Sequence, residues 1–101
     1  MAENPVTPER TTMPRDVILV GKKPIMSYAM AALMQLTEGG TITIKARGAA
    51  ISSAVDVAQV VVNRLLHGNA VVDNVAIGTV VLGEPPRNVS TVEIKVSSKP
   101  R

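Results

Sequence analysis

The sequence predicts an α+β fold: a two-layer sandwich in the order β-α-β-α-β-β, with both helices on one face of a small sheet. Two segments alternate apolar and polar residues as half-buried strands do, and two others cluster β-branched residues. Between them lie two segments of helix formers that end at glycine. At 101 residues and 46 % hydrophobic content the chain has the size of one domain, and with one Tyr and no Phe or Trp its core must be aliphatic.

The chain divides at about residue 16. Residues 1–15 hold three prolines, three threonines and mixed charges without apolar periodicity, which indicates a disordered tail. Residues 16–101 are predicted to form a single domain that opens with a short buried strand over residues 16–20. Pro24 suits the first turn of a helix, which is predicted to continue through residue 38 and to end at the Gly39-Gly40 pair.

The middle of the chain predicts a second strand and a second helix. Residues 41–47 alternate strictly, with the apolar face formed by Ile42, Ile44 and Ala46 and the polar face by Thr41, Thr43, Lys45 and Arg47. Gly48 breaks the strand, and a helix follows over roughly residues 50–66. Its apolar stripe is predicted from steps of three and four residues, at Ile51, Val55, Ala58, Val62 and Leu65. Val60 and Val61 lie off this stripe and are expected to widen the apolar surface or face a partner subunit.

The last third of the chain predicts a hairpin. Residues 71–82 form a long strand, the prolines of residues 83–88 form a turn, and residues 90–98 alternate as the final strand. Unbroken, the first of these strands would be about 40 Å long, more than the roughly 26 Å diameter implied for a chain of this size. Either Gly78 bends the strand or the hairpin projects, and we predict a projecting arm tipped by Arg87.

The sequence offers few residues or motifs that indicate catalysis or metal binding. The chain has no Cys, and its one His, His67, is predicted at an exposed helix end. No phosphate-loop, dinucleotide or zinc-protease motif occurs, and the acidic residues are scattered. Met26, Met30 and Met34 recur at helical spacing, which predicts core packing. No apolar leader or membrane-length apolar run is visible, so we expect an intracellular soluble protein without metal or cofactor.

Basic residues lie at the ends of the first two predicted strands, just before the helices that follow. Lys22 and Lys23 follow the first strand, while Lys45 and Arg47 close the second. In a β-α-β unit the two parallel strands are neighbours, so their carboxyl ends and both helix N-termini meet at one edge. The sequence, with a net charge of +3, therefore predicts an anion-binding surface at this edge.

A polyanion fits this surface better than a nucleotide cofactor, because the glycine-rich cradle of a cofactor site is weakly represented. The shortage of aromatic residues favours contact with a duplex backbone over base stacking. Tyr28 is the only stacking candidate and could equally be core or surface. A hairpin carrying Arg87 could lie along or enter a minor groove, and low sequence specificity is expected.

Four segments carry a family resemblance. VGKKPIMSY at residues 20–28, IKARGAAISSAVDVA at 44–58, VNRLL at 62–66 and VSTVEIKV at 89–96 resemble the Alba family of archaeal chromatin proteins. The resemblance implies a small dimer that coats and compacts double-stranded DNA with little sequence preference and also binds RNA. It implies nucleic-acid contacts from the lysine pair, the strand end and the hairpin arms, which here correspond to Lys22, Lys23, Lys45, Arg47, Gly48 and Arg87.

The resemblance also implies partners and regulation. Acetylation of Lys22 would weaken binding, so acetylating and deacetylating enzymes are expected partners, and the protein would be chromosome-associated in the cytoplasm. Contacts between dimers would involve Asn63, Arg64 and Leu65, where the family often has an aromatic in place of Leu65. Ala49 stands where a second basic residue often follows the glycine. The chain would form a homodimer, or a heterodimer with a paralogue.

Two alternatives remain beside the chromatin hypothesis. An RNA-binding scaffold or ribonucleoprotein subunit would use the same lysines on RNA phosphates. An enzyme or small-nucleotide binder would use the same helix ends, and it requires a deep pocket near Gly21 and Gly48 lined by at least two facing polar groups.

Overall fold

The structure, a computed structural model, describes residues 16–98 as an α+β sandwich; the predicted tail, residues 1–15, lies outside the described residues. Its elements are β1 (Val17–Leu19), α1 (Ile25–Gly39), β2 (Thr41–Arg47), α2 (Ile51–Gln59), β3 (Ala70–Leu82) and β4 (Arg87–Ser98). The sheet order is β1-β2-β4-β3, with β1 parallel to β2 and the other pairs antiparallel. The predicted order of elements is confirmed.

The second helix is less regular than predicted. A 3₁₀ turn, Gly48–Ala50, leads into α2, and a π-helical turn, Val60–Leu65, follows it. The wider turn is visible in the hydrogen bond from the Leu66 N–H to the Val61 carbonyl, five residues back, at 3.0 Å. No helix in the described part of the chain has both the length and the apolarity needed to span a bilayer.

The core lies between the helices and one face of the sheet. Ile42 and Ile44 on β2 and Val96 on β4 are completely or almost completely buried against the helices. From α1, Ala29 and Ala32 are fully buried, and these small side chains let the helix approach the sheet closely. The predicted aliphatic core is confirmed, and the alternating burial of β2 and β4 shows that both helices cover the same face.

The stripe predicted for the second helix is partly confirmed, because Ala58 is buried and Ile51, Val62 and Leu65 pack against the core. Its buried residues are Ala54, Val57, Ala58 and Val61, so Ala58 is the one predicted stripe residue that is buried. Val55 is 43 % exposed, whereas Val61, predicted to lie off the stripe, is fully buried. The segment is apolar enough to offer two overlapping stripes, and the sheet takes the one whose alanines permit close approach.

The core position predicted for the methionines is wrong. Met26 and Met30 are each 48 % exposed and Met34 is 60 % exposed. Helix α1 instead turns Ala29, Ala32 and Leu36 toward the sheet. The physical reason is again steric, because a methionine row facing β2 would hold the helix too far from the sheet to bury Ile42 and Ile44.

The hairpin projects from the sheet as predicted. Arg47, the last residue of β2, pairs with Thr91, so the four β4 residues before Thr91 and their partners on β3 extend beyond β2. Gly78 stays in register opposite Thr91, and the irregularity of β3 falls between Val72 and Asn74 instead. The arm therefore leaves the sheet at the end where β2 terminates, and the molecule is 46 Å long.

Candidate nucleic-acid interface

The loop after β1 and the turn after β2 lie at the same edge of the sheet. Leu19 is paired with Lys45 in the parallel register, and the Val20 N–H donates to the Lys45 carbonyl at 2.9 Å. The exposed Lys22 and Lys23 follow directly, beside the exposed Arg47. The predicted convergence of the two basic pairs is therefore present in the geometry.

A cleft of about 910 Å³ opens at this edge. Its polar lining comes from Lys22, Tyr28, Lys45, Arg47, Ser53, Thr91 and Glu93. Lys23 and Gly48 are chain neighbours of lining residues but do not line the cleft themselves. The cleft meets the size requirement of the small-nucleotide alternative and has more than two polar lining groups, although its lining contains no His or Cys and a single carboxylate.

Both helices start at this cleft without a side-chain cap. Pro24 occupies the cap position of α1 and Arg47 that of the 3₁₀ turn that leads into α2, and neither makes a side-chain capping hydrogen bond. The first N–H groups of a helix have no intrahelical acceptor and carry partial positive charge. The edge therefore combines lysine and arginine side chains with helix ends that favour an anion.

Tyr28 organises the lysine loop, and sequence reasoning left its role open. Its hydroxyl accepts hydrogen bonds from the backbone N–H of Gly21 at 2.9 Å and from that of Lys23 at 3.1 Å. The ring is half-buried and packs against the core. The sequence contained one signal for this role. Tyr28 is a lone phenol, and it lies about one helical turn after a loop whose backbone N–H groups require acceptors.

Glu93 is a second residue that sequence reasoning missed at this site. It stands opposite Lys45 across β2 and β4, and the Lys45 Nζ lies 3.6 Å from its Oε2. Both side chains are about half exposed, so the pair is an ordinary surface ion pair that reduces the charge Lys45 offers to a ligand. No local pattern could reveal the pair, because it depends on the register between two distant strands.

Gly48 allows β2 to turn directly into the second helical segment. Its φ is +58°, in the left-handed region that favours glycine. A Cβ placed there would lie 3.5 Å from Cγ1 of Val89, which is ordinary contact, so the requirement for glycine comes from the backbone. The predicted strand break at this position is confirmed.

Arg87 lies on the same end of the molecule but outside the cleft. It pairs with Leu82 beside the four-residue turn at the arm tip, and it is exposed. The four residue steps from Thr91 to Arg87 correspond to about 13 Å along the strand. The arm therefore carries a cation well beyond the cluster formed by Lys22, Lys23 and Arg47.

The residues predicted to join dimers lie elsewhere. Asn63, Arg64 and Leu65 fall in the π-helical turn at the far end of the second helical segment. The Asn63 amide donates to Oε1 of Gln59, Arg64 is exposed, and Leu65 packs partly against the core. Their role between dimers stays a prediction. Within residues 16–98 no group of three His, Cys, Asp or Glu side chains is arranged to hold a metal ion.

The fold and this edge define a small α+β protein with a cationic end. The Alba family model matches residues 16–79, and the chain belongs to the Alba family. It is 40 % identical over 89 residues to the DNA/RNA-binding protein Alba of Nitrosopumilus maritimus (strain SCM1), covering 85 % of this chain and 94 % of that protein.

Solved structures show the same fold. Alba from Thermoplasma volcanium superposes with a TM-score of 0.75 at 40 % identity, covering 80 % of this chain and 98 % of that one. ALBA1 from Trypanosoma brucei gives a TM-score of 0.70 at 24 % identity, over 86 % of this chain and 72 % of that one, and at this identity the likeness concerns the fold alone. The resemblance read from the sequence is confirmed.

Proposed function

We propose that this protein binds double-stranded DNA through its phosphates with little sequence preference, and that as a dimer it coats and compacts the chromosome in the cytoplasm. The observation that carries the proposal is the meeting of Lys22, Lys23 and Arg47 with the projecting arm at one end of the sheet. The curated relative from Nitrosopumilus maritimus, a DNA/RNA-binding protein by name, supports it.

The geometry favours a long polyanion over a small nucleotide. The arm carries Arg87 about 13 Å beyond Thr91, the residue that pairs with Arg47. A single mononucleotide bound in the cleft would leave this distance unoccupied. A duplex offers phosphates along its whole length, and its minor groove, about 6 Å wide, admits an arginine side chain. The cluster would contact phosphates while the arm follows the groove, and no base-reading helix is required. We therefore propose a binding function.

A second copy of the chain would cover the apolar face of β3. Val72, Val75 and Ile77 stand opposite Val96, Ile94 and Val92, so they lie on the face that the helices cover elsewhere. Helices α1 and α2 pack mainly on β2 and β4, which leaves these three side chains 43 %, 54 % and 85 % exposed. A free edge strand with such a face favours dimerisation, as a homodimer or with a paralogue.

Acetylation of Lys22 would weaken this binding. The side chain is exposed, lines the cleft and sits in the loop beside Lys23, so an acetylating enzyme can reach it. Acetylation removes the positive charge that faces a phosphate, and a deacetylating enzyme would restore it.

RNA is the second candidate ligand, because the relative's name includes it and the same cations would grip RNA phosphates. The test is a competition between matched duplex DNA and duplex RNA over a series of salt concentrations. We expect preference for DNA and a steep fall of log K with log salt. Equal or tighter binding of RNA through the same lysines would move the function to RNA metabolism.

Charge-reversed variants locate the surface. The Lys22→Glu/Lys23→Glu double variant and each single variant are measured against Lys95→Glu, which reverses an exposed lysine of β4 away from the cleft. Each loop variant is expected to lose far more affinity than the control. Unchanged affinity in the double variant would show that the assigned surface is wrong. Displacement of the duplex by a millimolar mononucleotide would instead favour the small-nucleotide alternative.

A further inference from the structure

We infer that Tyr28 is the positioning residue of the lysine loop, and that its hydroxyl proton donates to a phosphate oxygen of the bound nucleic acid. The inference deepens the proposed function and rests on it. It assigns a role to the one aromatic side chain of the protein, which neither charge nor base stacking explains.

The hydroxyl of Tyr28 binds the backbone on both sides of Lys22. Its oxygen accepts from the Gly21 N–H on one side of that residue and from the Lys23 N–H on the other. Without the phenol both amides would have to bond to water, and the loop would lose these two hydrogen bonds to the helix layer. With the phenol, the backbone of Lys22 is held on both sides, so its side chain starts from a defined place at the mouth of the cleft.

The anchor is rigid because the ring belongs to the helix layer. Tyr28 lies in the first turn of α1, is half-buried and packs against the core residues. A Cβ placed on Gly21 would lie 3.4 Å from the hydroxyl oxygen, so the loop backbone is in close contact with the phenol. The position of the lysine loop is thereby coupled to the core.

The chemistry of the hydroxyl restricts its third partner. A phenol has one O–H donor and two acceptor lone pairs. The two backbone N–H groups occupy both acceptor positions, so any further partner must be an acceptor. Tyr28 lines the cleft together with Lys22 and Arg47, and a phosphate oxygen is an acceptor that cations of this kind attract. The phenol would therefore supplement the cations with an uncharged, directional donor.

The test is Tyr28→Phe in the full chain, with Ser27→Ala as matched control because it removes an exposed hydroxyl one residue earlier. Two lost hydrogen bonds to the loop and one to a phosphate predict about a tenfold weaker affinity for duplex DNA. The slope of log K against log salt should equal that of the parent protein, because every cation remains. Lys22→Ala should instead lower the slope by about 0.9.

Amide hydrogen exchange measures the positioning of the lysine loop directly and needs no nucleic acid. The Gly21 and Lys23 amides should exchange slowly in the parent protein and in Ser27→Ala, and quickly in Tyr28→Phe, while core amides of β2 stay protected in all three. Protected β2 amides establish that the variant is folded. Fast exchange at both loop amides in the parent protein would overturn the positioning role.

The two proposals fail in different ways. If the parent protein binds no duplex, the proposed function falls and the phosphate contact of Tyr28 falls with it, whereas slow exchange at Gly21 and Lys23 would still support the positioning of the loop. If the parent protein binds and Tyr28→Phe binds equally well, the role of Tyr28 alone falls. A reduced salt slope in Tyr28→Phe would overturn the phosphate donor alone and would support the positioning of Lys22, because that result means a displaced cation contact.

Discussion

Lys45 and Glu93 face each other across β2 and β4, with Nζ of the lysine 3.6 Å from Oε2 of the glutamate. Both side chains border the cleft at the edge where Lys22 and Arg47 converge. An exposed pair of this kind contributes on the order of 0–1 kcal/mol to stability. Its larger consequence is electrostatic, because the carboxylate stands beside the surface that is proposed to receive phosphates.

Glu93→Gln is therefore expected to strengthen binding. Removing one negative charge from the rim should raise duplex affinity about three- to tenfold at low salt, with a slope steeper by up to about 0.9 as Lys45 becomes available. The unfolding free energy should change by less than about 1 kcal/mol. Fluorescence anisotropy with a labelled duplex measures the affinity. Asp56→Asn, on the exposed side of α2, is the control, and weaker binding by Glu93→Gln would contradict the expectation.

Lys22→Gln imitates the neutral, acetylated side chain. One lost phosphate contact should weaken duplex binding and reduce the magnitude of the salt slope by about 0.9. Lys95→Gln makes the same change of charge on β4 and should alter the slope much less. Parent protein acetylated at Lys22 should match Lys22→Gln. Equal slopes for the two glutamine variants would mean that Lys22 has no special place at the surface.

Ile77→Asp tests the apolar face of β3. Ile77 is 85 % exposed in the single chain, so the substitution should leave the fold intact. In a dimer it would bury an unpaired carboxylate, which costs several kcal/mol and should produce monomers. Analytical ultracentrifugation distinguishes the two states. Met34→Asp, on the exposed side of α1, introduces the same charge elsewhere and should remain dimeric.

Arg87→Ala tests the arm. The residue pairs with Leu82 near the tip and its side chain is exposed, so little stability should be lost. Duplex affinity should fall, and a dye that occupies the minor groove should compete less well with the variant than with the parent protein. A variant that competes with the dye as the parent does would place the arm outside the groove.

Gly48→Ala and Gly39→Ala should act in opposite directions. Gly48 has a φ of +58°, where a side chain costs about 1–2 kcal/mol, so alanine should destabilise the protein. Gly39 ends α1 with nothing within 4 Å of a placed Cβ, and alanine there should be neutral or stabilising by up to about 1 kcal/mol. Urea unfolding measures both. A loss of stability in Gly39→Ala equal to that in Gly48→Ala would remove backbone strain as the explanation.

Local signals were sufficient for the order of elements and for the placement of the basic edge. Alternation in β2 and β4, Gly48 at the strand end and the length of β3 act over a few residues, so each could be read from its own segment. The convergence of Lys22 and Arg47 followed from one general rule, that the parallel strands of a β-α-β unit end at the same edge. The family could be recognised for the same reason, because its motifs are contiguous.

The sequence by itself thus determined the α+β order, the arm and the cationic end of the sheet. Only the tertiary structure decided which helix faces are buried, because steric approach to the sheet selected Ala54 and Val61 over the equally apolar Val55 and left Met26 and its neighbours exposed. It also decided the pairing of Lys45 with Glu93 and the hydrogen bonds between Tyr28 and the lysine loop. These contacts depend on the register and orientation of segments packed in three dimensions, which no periodicity within a single segment encodes.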